Sequence, residues 1–406
     1  MPGRTVSRNW RYNPSSDAPA KYRRACSYDA FVPDALADLP LTLEGELAGL
    51  VSDAEAAIRT LNASASPALA PLARLLLRTE SIASSKIEGM QPGLRELARA
   101  EAKVEAGGKA GATALEVMAN IDGMELAMRD AVVATHFGVG EIIAIHRRLM
   151  ARAPNAASMA GKIRTTQNWI GGNDYNPCGA DFVPPPPEEV SGLLDDLCDA
   201  INSDLLPPLV QAGLVHAQFE TIHPFADGNG RTGRALIHVV LKRRRVAPAY
   251  VPPISVVLAT QRDRYIAGLI GFRADGVVAW IEQFAAASRT AANLASVYLR
   301  KLMELTKTWR AKLAAGATPP PRSDAAAWAV IDALPAHPVI TAATAATAAE
   351  RSKPQIYEAL EQLQAAGVLL PVSRSRRNRS WEAAGLLDLL AGLESGQLPA
   401  IGPKRK

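Results

Sequence analysis

The stretch from Leu209 to Arg244 limits the fold of this chain more than any other. Apolar residues from Leu209 to Phe225 predict one helix, and those from Thr232 to Arg244 predict another. Pro224 and the glycines Gly228 and Gly230 break the pattern between them. Aromatic residues are only 5% of the chain and alanine is abundant, which tilts the whole toward helix. The expected class is mainly α.

The break carries chemistry. It reads His223-Pro-Phe-Ala-Asp-Gly-Asn-Gly-Arg-Thr-Gly-Arg234. Gly228 and Gly230 let the backbone turn and approach a ligand closely. A helix start presents unpaired N–H groups and a positive dipole end, which suits phosphate. Arg231 and Arg234 are three apart, share a helix face and can grip several phosphate oxygens. Asp227 has the wrong sign for a bare phosphate, so a Mg2+ between them is the sensible reading. An imidazole such as His223 accepts a proton near neutral pH. Base, metal, anion cradle and charge clamp together describe a nucleophile attacking phosphorus. The chain has no Gly-x-x-x-x-Gly-Lys-Ser/Thr, so the site is not a P-loop.

The run from His223 to Arg234 resembles the complete Fic-family signature. The resemblance implies a Fic-type helical core that moves AMP from ATP onto a Ser, Thr or Tyr hydroxyl of a target protein. It implies His223 as the catalytic base, Phe225 as the loop's anchor and Asp227 as the Mg2+ ligand. It further implies a nucleotide cradle from Asp227 to Arg234: Gly228, Asn229, Gly230, Arg231, Thr232, Gly233 and Arg234. Arg231 and Arg234 would take the β- and γ-phosphates.

Upstream, Ser84 and Glu88 are four apart on a predicted helix that ends at Gly89. A carboxylate at a helix C-terminus is disfavoured by the dipole and wants a cation elsewhere. Ser84-Ser-Lys-Ile-Glu-Gly89 is similar to the Fic inhibitory motif. That similarity implies Glu88 pairing with Arg234, blocking the γ-phosphate position within the nucleotide site.

Residues 161–187 change texture. Lys162 to Ile170 alternates, Gly171-Gly-Asn-Asp supplies turn chemistry and Pro184 to Pro187 closes the segment. This predicts a β-hairpin with a rigid stop. It is similar to the Fic flap, whose edge can pair with an extended peptide. By that similarity Asn168, Trp169, Ile170 and Gly171 would line the nucleotide, and Tyr265 would pack near the adenine. Where the family often has a second tyrosine, this chain has Ile266. His216 reads as a buried structural residue rather than a metal ligand.

The wider organisation follows. Residues 1–40 are Pro-rich and aperiodic, an extended arm, and 41–130 a helical N-terminal domain with the inhibitory helix. The catalytic core spans 131–300, a linker 301–322, and a further module 323–392 before a basic tail at 393–406. The module's order of helix, short helix, longer helix and hairpin is that of a winged helix. Its helix from Lys353 and its loop with Arg374, Arg376, Arg377 and Arg379 leave DNA and a protein partner both open. Glu358 and Glu361 on that helix weaken the DNA reading.

A net charge of +5 over 406 residues is too mild to imply a nucleic-acid coat protein. Cys26, Cys178 and Cys198 are far apart, which argues against a disulfide framework and for a reducing cytoplasm. No apolar leader or membrane span is expected. Competing readings are a DNA-binding regulator with an ATP-sensing core, a transfer of another nucleotide, and removal of AMP. Oligomeric state stays open, a homodimer included.

Overall fold

The computed structural model describes every residue except 13, 15, 16, 40, 64–69, 92, 106, 317–320, 373–378 and 398–406. In chain order its elements are β1 (Gly3–Trp10), β2 (Cys26–Pro33), α1 (Gly45–Ala63), α2 (Ala70–Ile87), α3 (Leu94–Glu105), α4 (Ala112–Val133), α5 (Val139–Leu149) and α6 (Ala156–Met159). There follow α7 (Val190–Asn202), α8 (Pro208–Ile222), α9 (Asn229–Arg243), α10 (Ile254–Thr260), α11 (Arg262–Arg273), α12 (Val277–Gly316) and α13 (Ala326–Ala333). The chain closes with β3 (Val339–Thr341), α14 (Ala342–Ala349), α15 (Lys353–Ala365), β4 (Leu369–Pro371), β5 (Ser380–Ala383) and α16 (Leu386–Glu394). The fold is mainly helical, as expected. Its contacts divide it into two units interleaved along the chain: 1–55, 122–246 and 261–286; and 56–121, 247–260 and 287–406.

The first unit is built around α8, which is buried on every face from Leu209 to Ile222. Such a helix has no polar stripe, so its polar residues need partners inside the protein. The Gln211 amide donates to the carbonyls of Ala200 (2.6 Å) and Ser203 (2.8 Å), and that of Gln218 to Asp34 (3.0 Å). Close packing of α9 on α8 depends on Gly233, where a Cβ would stand 2.7 Å from Glu220 Oε1 and 3.0 Å from Phe219 Cδ1. α8 stops at Ile222, because His223 turns left-handed and Pro224 cannot donate a helical hydrogen bond. α9 starts at Asn229, three residues earlier than the apolar pattern predicts.

The N-terminal arm is a paired ribbon rather than a lone extended arm. β1 and β2 pair antiparallel, from Gly3 opposite Pro33 to Trp10 opposite Cys26. Cys26 is bonded to Cys178, which corrects the expectation of free thiols. A sequence separation of 152 hid this pair; the ribbon brings it together by lying beside the loop that carries Cys178. Cys198 stays free and buried, and burial pushes its thiol up to about 12.

In the second unit α2 packs on α10. The buried Glu80 receives the Ser255 N–H (2.8 Å) and hydroxyl (2.5 Å). The linker expected over 301–322 is corrected: α12 continues to Gly316, held by the buried Trp309 and Leu313. Trp309 Nε1 donates to the Ala384 carbonyl (3.0 Å). Residues 317–320 lie outside the described residues.

The module that follows has the expected helices, and its hairpin gains a third strand. The sheet order is β3-β5-β4, with both pairings antiparallel. Arg95 on α3 binds Glu382, and also Asp388 at 2.6 Å. Arg379 lies 4.9 Å from the centroid of the Trp381 ring, while Arg374, Arg376 and Arg377 fall outside the described residues, as does most of the basic tail. Among the described residues no helix is long and apolar enough to cross a membrane.

Candidate active site

The loop between α8 and α9 is held from several sides. His223 has φ +50, a left-handed conformation that costs a residue with a Cβ about 1–2 kcal/mol. Its N–H bonds the Phe219 carbonyl (2.9 Å) and ends α8. Its carbonyl accepts from Arg164 Nε (2.9 Å) and from Asn168 Nδ2 (3.1 Å). The half-buried imidazole has Nδ1 3.3 Å from the Glu220 carbonyl.

Phe225 is fully buried and stacks parallel on His146 with centroids 3.6 Å apart. His146 Nδ1 accepts the Gly161 N–H (2.9 Å), so its hydrogen sits on Nε2, which donates to the Asp227 carbonyl (2.9 Å). Burial brings its pKa down to about 4, and His146 is therefore neutral near pH 7. Asn229 braces the loop from the other side. Its Oδ1 accepts the Phe225 N–H (2.9 Å) and its Nδ2 donates to the Phe225 carbonyl (2.8 Å).

Gly228 precedes α9 at φ +78, where a Cβ would meet Met150 Sδ at 2.9 Å. Having no side chain, it cannot cap the helix, and first-turn amides without a side-chain cap at the positive end of the dipole are suited to an anion. Arg231 and Arg234 start from this helix and are buried. The Asp227 carboxylate is 60% exposed, with Oδ1 accepting the Gly228 N–H (2.6 Å) and Oδ2 3.9 Å from Arg231 Nη2. The Thr232 hydroxyl bonds the Gly228 carbonyl (2.9 Å), and Gly233 lies against α8.

Among the described residues no cluster of three or more His, Cys, Asp or Glu can hold a metal. One exposed carboxylate beside an amide cradle fits a Mg2+ that takes its other ligands from phosphate and water.

The segment 161–187 is not the expected hairpin. It holds two isolated bridges, Ile163 with Phe225 and Ile170 with Phe182. Pro184 to Pro187 have no N–H to donate, and Gly171 and Gly172 turn left-handed in succession, so a ladder cannot extend. Asn side chains fold the tip: Asn173 Oδ1 accepts the N–H groups of Tyr175 (2.9 Å) and Asn176 (3.0 Å).

Asn168 is turned to the loop between α8 and α9, bonding the carbonyls of His223 and Phe225 at 3.1 Å each. Trp169 donates to the Asn173 carbonyl (2.5 Å) and meets Trp10 edge-on at 5.6 Å. Ile170 is 37% exposed, and Gly171 lies against Asp181. Tyr265 is buried, its hydroxyl 2.9 Å from His216 Nε2. His216 is a core residue whose pKa is brought down to about 3, by burial first and by Arg234 second.

Two residues at this site escaped the sequence reading, Arg164 and His146. Each is a lone side chain that reaches the loop between α8 and α9 from far along the chain, Arg164 to His223 and His146 to Asp227, with no local pattern to mark it.

In the second unit Ser84 is fully buried in α2, and the exposed Glu88 stands one residue beyond the helix. Gly89 has φ +82, and the Met90 N–H reaches back to the Ser85 carbonyl (3.1 Å). The glycine of the motif is thus the left-handed residue that ends the helix.

Residues 136–241 match the model of the Fic/DOC family, and residues 48–129 that of the Fic/DOC family N-terminal region. The chain is 34% identical over 130 residues to the protein adenylyltransferase Fic of Nematostella vectensis, covering 31% of this chain and 27% of that one. It is 31% identical over 150 residues to that of Drosophila willistoni, covering 35% and 27%. The chain thus spans about a quarter of the length of these relatives. A Fic family protein from Desulfovibrio desulfuricans G20 shares the fold at a TM-score of 0.51 and 22% identity, over 85% of this chain and 98% of that one. A Fic domain containing signaling protein from Bacteroides thetaiotaomicron does so at 0.50 and 19%, over 61% and 95%.

Proposed function

We propose, from the premise that residues 136–241 are a Fic/DOC-family domain and residues 48–129 that family's N-terminal region, that this chain is a protein adenylyltransferase. One observation carries the reading. A left-handed His223, fixed at its backbone, precedes a helix start whose amides are uncapped and whose Asp227 is exposed.

ATP binds with its phosphates on the amides at the start of α9, and Arg231 and Arg234 neutralise the β- and γ-phosphates. Asp227 would hold Mg2+, which when bound adds charge neutralisation at the phosphates. His223 accepts the proton of a Ser, Thr or Tyr hydroxyl on the target protein. The hydroxyl oxygen bonds the α-phosphorus as the bond to the departing pyrophosphate breaks.

Inhibition by Glu88, through Arg234, belongs to the same reading. The exposed carboxylate one residue past α2 supports it, because a negative charge at a helix C-terminus is stabilised by pairing with a cation.

The strand order β3-β5-β4 with α13, α14 and α15 supports a winged helix at the C-terminal end. The exposed Glu358 and Glu361 on α15 would face phosphate with like charge, which favours a protein partner over DNA. A gel shift with random duplex DNA tests this. A cytoplasmic location belongs to the same reading. The Cys26–Cys178 bond weighs against a reducing one, and alkylation of the thiols in freshly lysed cells decides between them.

The central test is labelling with α-labelled ATP. The Glu88→Gly protein should become labelled, or label proteins of a cell lysate, and Glu88→Gly with His223→Ala should not. Equal labelling of both would remove the reading. Parallel incubations with labelled GTP, CTP and UTP establish the donor.

A further inference from the structure

Arg164 is a buried cation in the first unit, and its hydrogens go to carbonyls. Nε donates to His223 O (2.9 Å); Nη2 to Pro185 O (2.6 Å) and Ile222 O (3.3 Å); Nη1 to Thr166 O (3.3 Å). Its own N–H bonds the Pro224 carbonyl (2.9 Å). Burial lowers its pKa to about 10, which leaves it charged at neutral pH.

The last carbonyls of α8 are at the negative end of the helix dipole, where a cation is favoured. A plain helix cap accounts for the bonds to Ile222 and His223. It does not account for Thr166 and Pro185, which belong to the two legs of the 161–187 segment. One planar fork therefore joins three pieces of backbone: the entry leg, the exit leg and the left-handed turn at His223.

We propose that Arg164 is a positioning residue of the transfer reaction, fixing the turn at His223 and tying it to both legs of the segment, so that the imidazole's orientation and the segment's seating are set together. The role assigned to the imidazole rests on the function proposed above; the place of Arg164 rests on the distances. Asn168, which bonds the same His223 carbonyl, cannot replace it, since its amide reaches neither leg's carbonyls at Thr166 or Pro185.

The test uses the full chain with Glu88→Gly, α-labelled ATP and the chain itself as acceptor. Arg164→Lys keeps the charge but loses the fork. Its maximal labelling rate should fall about 100-fold. The ATP concentration for half-maximal rate should stay within about 3-fold, since the cradle at α9 is untouched. In Arg164→Gly, millimolar guanidinium ion should restore part of the rate.

An undiminished maximal rate overturns the proposal. So does a loss of ATP affinity that tracks the loss of rate, or failure of both variants to fold by circular dichroism. The two readings fail separately. Labelling that survives His223→Ala sinks the base, whereas a dead His223→Ala protein beside a fully active Arg164→Lys protein sinks only the positioning role.

Discussion

Glu88 and Gly89 divide two duties that sit side by side in the sequence. Gly89 ends α2 by taking φ +82, while the Glu88 side chain is exposed and supports no core. Glu88→Gly should therefore fold normally and, if Arg234 is its target, raise self-labelling by about 5-fold or more, read by mass spectrometry as added AMP. His216 makes a different kind of statement. Its folded pKa, brought to about 3 by burial and Arg234, with His238 acting the same way, lies below the ordinary histidine value of 6.5. The neutral ring is the form the fold accommodates. Its contribution is complete above about pH 6.5 and is lost as pH falls from there toward 3. Urea midpoints measured across that range should fall, and fall less steeply in His216→Gln. The signature itself was legible because its residues are contiguous from His223 to Arg234. Arg164 and His146 were not, because each acts on backbone brought near only by folding. Tyr265 bonds His216 in the core, a contact no local pattern announces.

Among the elements, the pair α8 and α9 depends on one missing methyl group. Gly233→Ala must push Glu220 or Phe219 aside, and a destabilisation of about 1–3 kcal/mol is expected. The urea midpoint measures it, and an unchanged value would mean that the helices separate freely. Helices with long apolar faces could be read from periodicity. The 161–187 segment misled, since its alternation resembles a strand while four prolines and two left-handed glycines forbid the ladder. β3 was missed for its length, three residues that pair with β5. The ribbon β1–β2 was missed because β1 is mostly exposed on both faces and shows no apolar face, although its partner β2 is largely covered.

For the molecule as a whole, the two units interleave, whereas sequence divides most simply into contiguous ranges. Composition does not reveal such braiding, and neither does local pattern. The Cys26–Cys178 bond acts at this scale, closing a loop across a separation of 152. Removing it with Cys178→Ser should cost about 2–5 kcal/mol, mainly through a freer unfolded chain. Thermal unfolding with and without reductant gives the same comparison in the parent, and coincident curves would show that the bond does not form in solution.

The four prolines from Pro184 to Pro187 have one more result. A backbone of that kind can only accept, as it does from Gln167 at Pro184 (2.9 Å) and from Arg164 at Pro185. No second chain can zip onto it rung by rung, because half of every rung is missing. Pro184 to Pro186 are buried and Pro187 half-buried, so the run ends the segment against the interior as an edge that takes side-chain donors and cannot grow into a sheet.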